Sequence, residues 1–216
     1  MQRLISEALR YLGVRGQPED TLLTQMTALA EETSARIRPR RIWRVLPLQH
    51  DGSKLLLGRL PLPGRSAAKM LADCRECALL VCTLGAEFDA FSRQLQARDM
   101  ARAVMLDALG SAAVEAACDE AETEIAARLP GIHLTDRFSP GYGDLPLSLQ
   151  PALLELAEGR RIGVTCTSAM LMAPQKSVSA LIGLADRPQQ ARIRGCDYCS
   201  IKAACTLRKA GKTCDV

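Results

Sequence analysis

Aromatic residues are scarce in this chain, at 3% of 216 positions. That scarcity excludes an interior built on ring packing and leaves the core to Leu, Ala, Val and Met. Long apolar runs are also missing: no stretch approaches the roughly 18 uninterrupted apolar residues of a membrane helix. The opening Met1-Gln2-Arg3-Leu4 is charged and amphipathic, without the apolar core of a secretory signal. The expectation is a cytoplasmic protein with no membrane association. Blocks of like charge are lacking too, the net charge of +4 being spread along the chain, so no nucleic-acid-binding arm is expected. Internal repeats and low-complexity segments are absent, which excludes a solenoid.

What remains is ordinary globular material, 48% hydrophobic and 24% charged, long enough for one large domain or for one domain with an appendage. The second arrangement is expected, with a main domain over residues 1–188 and a cysteine-rich tail over 189–216. Apolar residues at Leu4, Ile5, Ala8, Leu9 and Leu12 predict a first helix that Gly13 ends in a left-handed conformation. The run from Glu19 to Ile37 predicts a second helix, stopped by Pro39. Ile42 to Leu48 and Lys54 to Leu60 flank His50-Asp51-Gly52-Ser53 and predict a hairpin. A short helix over Ala67 to Asp73, a buried strand over Ala78 to Thr83, and helices near Glu87 to Arg98 and Met100 to Leu129 follow. In the last of these, Gly110, Ser111, Ala112 and Ala113 leave room for a neighbouring element to approach closely. Pro146 marks a helix start before Leu147 to Ala157, and Ile162 to Thr167 and Ser177 to Leu184 read as strands. Helices and hairpin-like strands without regular βαβ alternation make the fold class α+β.

Three groups of residues carry candidate chemistry. In Arg137-Phe138-Ser139-Pro140-Gly141-Tyr142, a guanidinium can grip a carboxylate through paired hydrogen bonds. Gly141 lets backbone approach a flat ring, and Tyr142 can stack or donate. The same residues also suit a surface turn in which Arg137 pairs with Asp136 or Asp144. Glu115 sits in the most apolar stretch of the long helix, where a buried carboxylate needs a partner such as Arg137 or a ligand ammonium. Most of the acids on neighbouring turns, Asp107, Asp119, Glu120, Glu122 and Glu124, are expected to be solvated helix surface.

Cysteine supplies the third group. Four of the nine cysteines, Cys196, Cys199, Cys205 and Cys214, fall near the end. Soft thiolates in that number suit a 4Fe–4S cluster or a tetrahedral zinc. A single Cys-x2-Cys knuckle followed by steps of five and eight is unlike the paired knuckles of a zinc ribbon, which favours the cluster. Lys202, Arg208, Lys209 and Lys212 would offset thiolate charge. Cys74, Cys77 and Cys82 surround the predicted buried strand and read as small hydrophobes, with redox or metal pairing of Cys74 and Cys77 as the alternative.

Asp107-Ala108-Leu109-Gly110-Ser111, Arg137 to Tyr142, and Thr167 to Ser179 with Met172, Pro174, Ser177, Val178 and Ser179 together resemble the activation, or AdoMet-binding, domain of cobalamin-dependent methionine synthase. The likeness is to a short stand-alone form and covers about residues 1–185. It implies an α+β domain with a strongly curved antiparallel sheet. Arg137 would hold the AdoMet carboxylate, backbone around Ser139, Pro140 and Gly141 would receive adenine and ribose, and Tyr142 would lie near the sulfonium and a facing corrin. Glu115 would contact the ligand amino group or ribose.

The implied activity is reductive remethylation of cob(II)alamin on a partner methionine synthase or another corrinoid protein, with AdoMet as methyl donor and ferredoxin or flavodoxin as possible electron donor. Three departures stand out. Thr167-Ser168-Ala169 lacks the family's glutamate, the family's N-terminal AdoMet-contacting aspartate has no evident counterpart, and a four-cysteine tail replaces the final tyrosine-containing strand. The alternative reading is a non-catalytic docking module for a corrinoid protein with a structural zinc tail.

Overall fold

The computed structural model describes residues 1–51, 54–189, 203, 205–209 and 211. The chain opens with helices α1 (Gln2–Tyr11) and α2 (Asp20–Arg36), then strands β1 (Arg40–Asp51), β2 (Lys54–Leu57) and β3 (Leu60–Pro61). Helix α3 (Arg65–Met70), strand β4 (Cys74–Thr83) and helices α4 (Ala86–Gln96) and α5 (Met100–Arg128) follow. The second half contains β5 (His133–Leu134), α6 (Gln150–Leu156), β6 (Thr165–Cys166), β7 (Met172–Ala173) and β8 (Ser177–Ala185), with a short α7 (Thr206–Lys209) in the tail. Six strands form one antiparallel sheet in the order β3-β2-β1-β4-β8-β5. The sheet is curved and flanked by helices, so the α+β class with a curved antiparallel sheet holds.

Side-chain alternation along the two central strands builds a core on each face of the sheet. Ala78, Leu80 and Cys82 of β4, with Ile182 and Leu184 of β8, turn toward α1, α2, α4 and α5. Cys77, Leu79, Val81 and Leu181 turn the other way, toward α3, α6, Phe138 and Leu145. Cys74 joins that second face although it lies three positions from Cys77, because the β4–β8 register shifts between Cys74 and Glu76. A bulge of this kind returns an odd-numbered step to the same side. Cys74, Cys77 and Cys82 are thus buried core residues, as small hydrophobes should be. Burial pushes the Cys77 thiol up to about 12 and the Cys74 thiol up to about 11, which keeps both protonated and weakly nucleophilic at neutral pH.

Helix α1 ends at Tyr11, and Gly13 adopts φ 76° while Val14 N–H donates to the Leu9 carbonyl at 3.1 Å. The left-handed glycine stop expected from the sequence is therefore present. The long helix α5 begins where Asp99 accepts from Arg102 N–H at 3.0 Å, a side-chain cap. Gly110 sits against α4, and a Cβ there would lie 2.3 Å from Phe88 Cζ. The small-residue stretch serves a specific close approach to a ring.

Two expectations change. Ile162 to Thr167 is not one strand: a 3-10 turn spans Gly159–Ile162, Gly163 takes φ 80°, and only Thr165–Cys166 is extended. The left-handed Gly163 and the Val164 N–H bond to the Gly159 carbonyl at 3.0 Å close a turn that β-prone composition could not reveal. Leu147 to Ala157 starts as a 3-10 turn over Leu147–Leu149 before α6 proper. The hairpin forms with Asp51 opposite Lys54, its tip at residues 52–53 lying outside the described residues. The expected division at residues 188 and 189 falls at the edge of the described chain, and Cys196, Cys199 and Cys214 lie outside it.

Candidate functional site

Helix periodicity sets the first wall of the site. Glu115, Asp119 and Glu122 stand at steps of four and three on α5, so their carboxylates share one face. Opposite them, the segment after β5 continues beside β8: Thr135 N–H donates to the Gly183 carbonyl at 3.0 Å, and Phe138 and Leu181 exchange backbone bonds at 3.0 and 2.8 Å. Phe138 points into the core and is 2% exposed. Its neighbour Arg137 points the other way, toward α5.

Arg137 Nη2 lies 2.9 Å from Glu115 Oε2, and its Nη1 lies 3.0 Å from Asp119 Oδ1 and 3.1 Å from Glu122 Oε1. The guanidinium side chain is 8% exposed, whereas those of Glu115 and Asp119 are 44% and 43% exposed. A buried cation therefore holds carboxylates whose outer edges face solvent. Burial opposes the Arg137 charge, but Glu122, Glu115 and the bond to Asp119 outweigh it and drive its pKa further up. The expected partner for Glu115 is thus Arg137, while pairing of Arg137 with Asp144 does not occur: Asp144 instead accepts from the N–H groups of Arg65 and Ser66 at 2.6 and 3.0 Å. Those two amides hold the Asp144 carboxyl below its usual range.

Between α1 and α5, above Arg137, opens a cleft of about 670 Å³ whose walls include Arg3, Glu7, Tyr11, Glu115 and Asp119. Its floor contains Ala112 and Ala116, small side chains that keep it open. Arg3 Nη2 reaches Asp119 Oδ2 at 3.2 Å from the rim. Both signs of charge are present, which suits a zwitterionic ligand better than a simple anion.

The loop after Arg137 is a tight structure. Tyr142 N–H donates to the Ser139 carbonyl at 3.1 Å, Leu145 N–H to the Tyr142 carbonyl at 3.1 Å, and Gly141 N–H to the Leu145 carbonyl at 2.9 Å. Gly141 has φ 90°, a conformation that glycine adopts without strain. Pro140 is buried and Ser139 half-buried. Tyr142 is 67% exposed at the tip. A second contact joins distant segments nearby: Lys176 Nζ lies 2.8 Å from Asp107 Oδ1 and 2.9 Å from Ser111 Oγ. Gln150 Nε2 donates to Ser179 Oγ at 2.7 Å beneath the loop, both residues being buried.

The structure thus joins Arg137 to Glu115 and sets Ser139, Pro140, Gly141 and Tyr142 on the adjoining loop. Asp119, Glu122, Lys176 and Tyr11 were not foreseen. The spacing of Asp119 and Glu122 behind Glu115 was the available signal; nothing in sequence spacing links Lys176 to Asp107. Among the described residues no group of three or more His, Cys, Asp or Glu side chains is arranged to hold a metal ion. Of the four tail cysteines Cys205 is described, and it is half-buried. Among the described residues no helix is long and apolar enough to cross a membrane.

The architecture defines a class, an α+β domain in which a curved antiparallel sheet carries a mixed-charge cleft on its helical face. Among solved structures the fold is similar to that of the MetH reactivation domain, crystallised with AdoHcy bound. The TM-score is 0.63 at 15% sequence identity, covering 99% of this chain and 83% of that one. At that identity the likeness is one of fold. No family model matches the chain, and no curated protein matches it.

Proposed function

We propose that this chain binds AdoMet in the cleft between α1 and α5 and supports reductive remethylation of the cob(II)alamin held by a partner methionine synthase or another corrinoid protein. The observation that carries this reading is the meeting of Arg137 with Glu115 under a mixed-charge cleft. It occurs on a fold shared, across nearly the whole chain, with a domain solved with AdoHcy bound. Arg137 takes the ligand carboxylate by exchanging its bond to Asp119, which Arg3 already contacts and can retain. Glu115, with half its side chain facing solvent, receives the ammonium group. Backbone at Ser139, Pro140 and Gly141 contacts adenine and ribose, and exposed Tyr142 lies near the sulfonium and the facing corrin.

When bound, AdoMet supplies the methyl group and leaves as AdoHcy, while one electron from a donor accounts for the change from cob(II)alamin to methylcobalamin. The protein's own share is positioning and exclusion of water. Cys196, Cys199, Cys205 and Cys214, at a spacing that suits a 4Fe–4S cluster, would supply its four thiolate ligands, and we assign them the electron-delivering role. Zinc in their place would make the tail structural and leave electron delivery to ferredoxin or flavodoxin.

Calorimetric titration with AdoMet tests the site. The wild type should bind weakly alone and more tightly with the corrinoid partner, whose corrin face completes the pocket. Arg137→Ala should lower affinity by about tenfold or more. Unchanged affinity in that variant would remove the carboxylate assignment. Iron, sulfide and zinc analysis of protein purified without oxygen decides the tail, since a colourless zinc protein overturns the cluster.

A further inference from the structure

Exposed rings are unusual in a chain with so few aromatics. Phe88, Phe91 and Phe138 are buried, and Trp43 is half-buried beside the Arg128 guanidinium. Among the described residues this leaves Tyr11, 50% exposed, and Tyr142, 67% exposed, as the rings open to solvent. Tyr11 lines the cleft that contains Glu115 and Arg137 and also borders a neighbouring hollow with Asp107 and Ser111. Tyr142 belongs to the loop that begins at Arg137. Burial raises the Tyr11 hydroxyl pKa, and Glu115 raises it further, with a smaller push from Tyr142. Tyr11 thus shares the cleft with Glu115, and Tyr142 lies within electrostatic reach of Tyr11.

The backbone that carries Tyr11 is set by the helix stop. Tyr11 is the last residue of α1, and the three bonds of the stop are Leu12 N–H to the Ala8 carbonyl at 3.0 Å, Gly13 N–H to the Arg10 carbonyl at 3.0 Å, and Val14 N–H to the Leu9 carbonyl at 3.1 Å. Arg10 lies 5.7 Å from the ring centroid and is itself tied to Glu7 at 2.7 Å. An exposed ring on the wall of an otherwise charged cleft offers a flat heteroaromatic group a stacking surface.

We infer that Tyr11 is a ligand-contacting residue whose ring stacks on the adenine of AdoMet or AdoHcy. Loop backbone at Ser139 to Gly141 reads the edge of the base. The inference rests on the AdoMet reading of the cleft and adds a wall, α1, that no motif in the sequence marked.

The test is calorimetric titration of the full chain with AdoHcy and with S-ribosylhomocysteine, the same molecule without adenine, for wild type, Tyr11→Ala, Tyr11→Phe and Arg137→Ala. Tyr11→Ala should bind AdoHcy about tenfold more weakly, the order expected for one base–aromatic stack. Tyr11→Phe, which keeps the ring face, should stay within about twofold of wild type. S-ribosylhomocysteine affinity should be the same for wild type and Tyr11→Ala. Wild-type AdoHcy affinity in Tyr11→Ala, or equal losses for both ligands, overturns the stacking role while a deficit in Arg137→Ala leaves the AdoMet reading standing. Absence of AdoHcy binding by the wild type overturns that reading and this inference together.

Discussion

The two halves of α5 are held by different physics. Up to Ser111 the helix packs by shape, with Gly110 pressed against the Phe88 ring so closely that a Cβ would overlap it. From Glu115 onward the helix still buries Ala117, Cys118, Ala121 and Ile125, but its edge beside the cleft is held by charge, with three carboxylates around one buried guanidinium. The first half tolerates no added volume, because close-packed interiors relax little. The charged edge, where Glu115 and Asp119 are partly exposed, tolerates volume but not loss of the fork-shaped cation that spans its acids. A ligand can compete for the second kind of contact and not for the first, and the cleft opens over the charged half.

The largest effect should come from filling the tight contact. Gly110→Val should cost about 3 kcal/mol through overpacking, measured by urea unfolding. A loss below about 0.5 kcal/mol would mean that Phe88 moves aside and that the shape argument fails. A smaller effect is expected from Arg137→Lys, since one ammonium cannot span Glu115, Asp119 and Glu122 together. We expect a stability loss of about 1 kcal/mol, limited because the carboxylates remain partly solvated and screened. The difference should shrink in high salt; a salt-independent loss would point to packing of the side-chain stem instead. Smallest is Arg3→Ala, at a rim position 86% exposed, which should change stability by less than about 0.5 kcal/mol. A larger loss would show that α1 is anchored to α5 through Asp119 rather than through Ile5, Ala8 and Leu9.

Much of the fold was legible because it follows local rules. The α1 stop at Gly13, the pairing of Asp51 with Lys54 and the length of α5 depend on neighbours in sequence, and each follows residue type and spacing. Ile162 to Thr167 misled because β-prone composition says nothing about a left-handed glycine in its midst. In the site, Arg137 and Glu115 were both named from the sequence and do meet. Tyr11 reaches the cleft, and Lys176 reaches Asp107, from elements far along the chain that no sequence spacing links.

The sequence by itself determined the α+β class, the helix that carries the acids and the loop that carries Arg137, since periodicity and turn chemistry act over a few residues. It also carries four cysteines close in sequence near the end of the chain. Only the tertiary structure decided which of the acids on α5 meet Arg137, that α1 forms the opposite wall, and that Lys176 closes on Asp107. Those pairings depend on sheet order and helix orientation, which are set by burying both faces of β4 and β8 and not by any local preference.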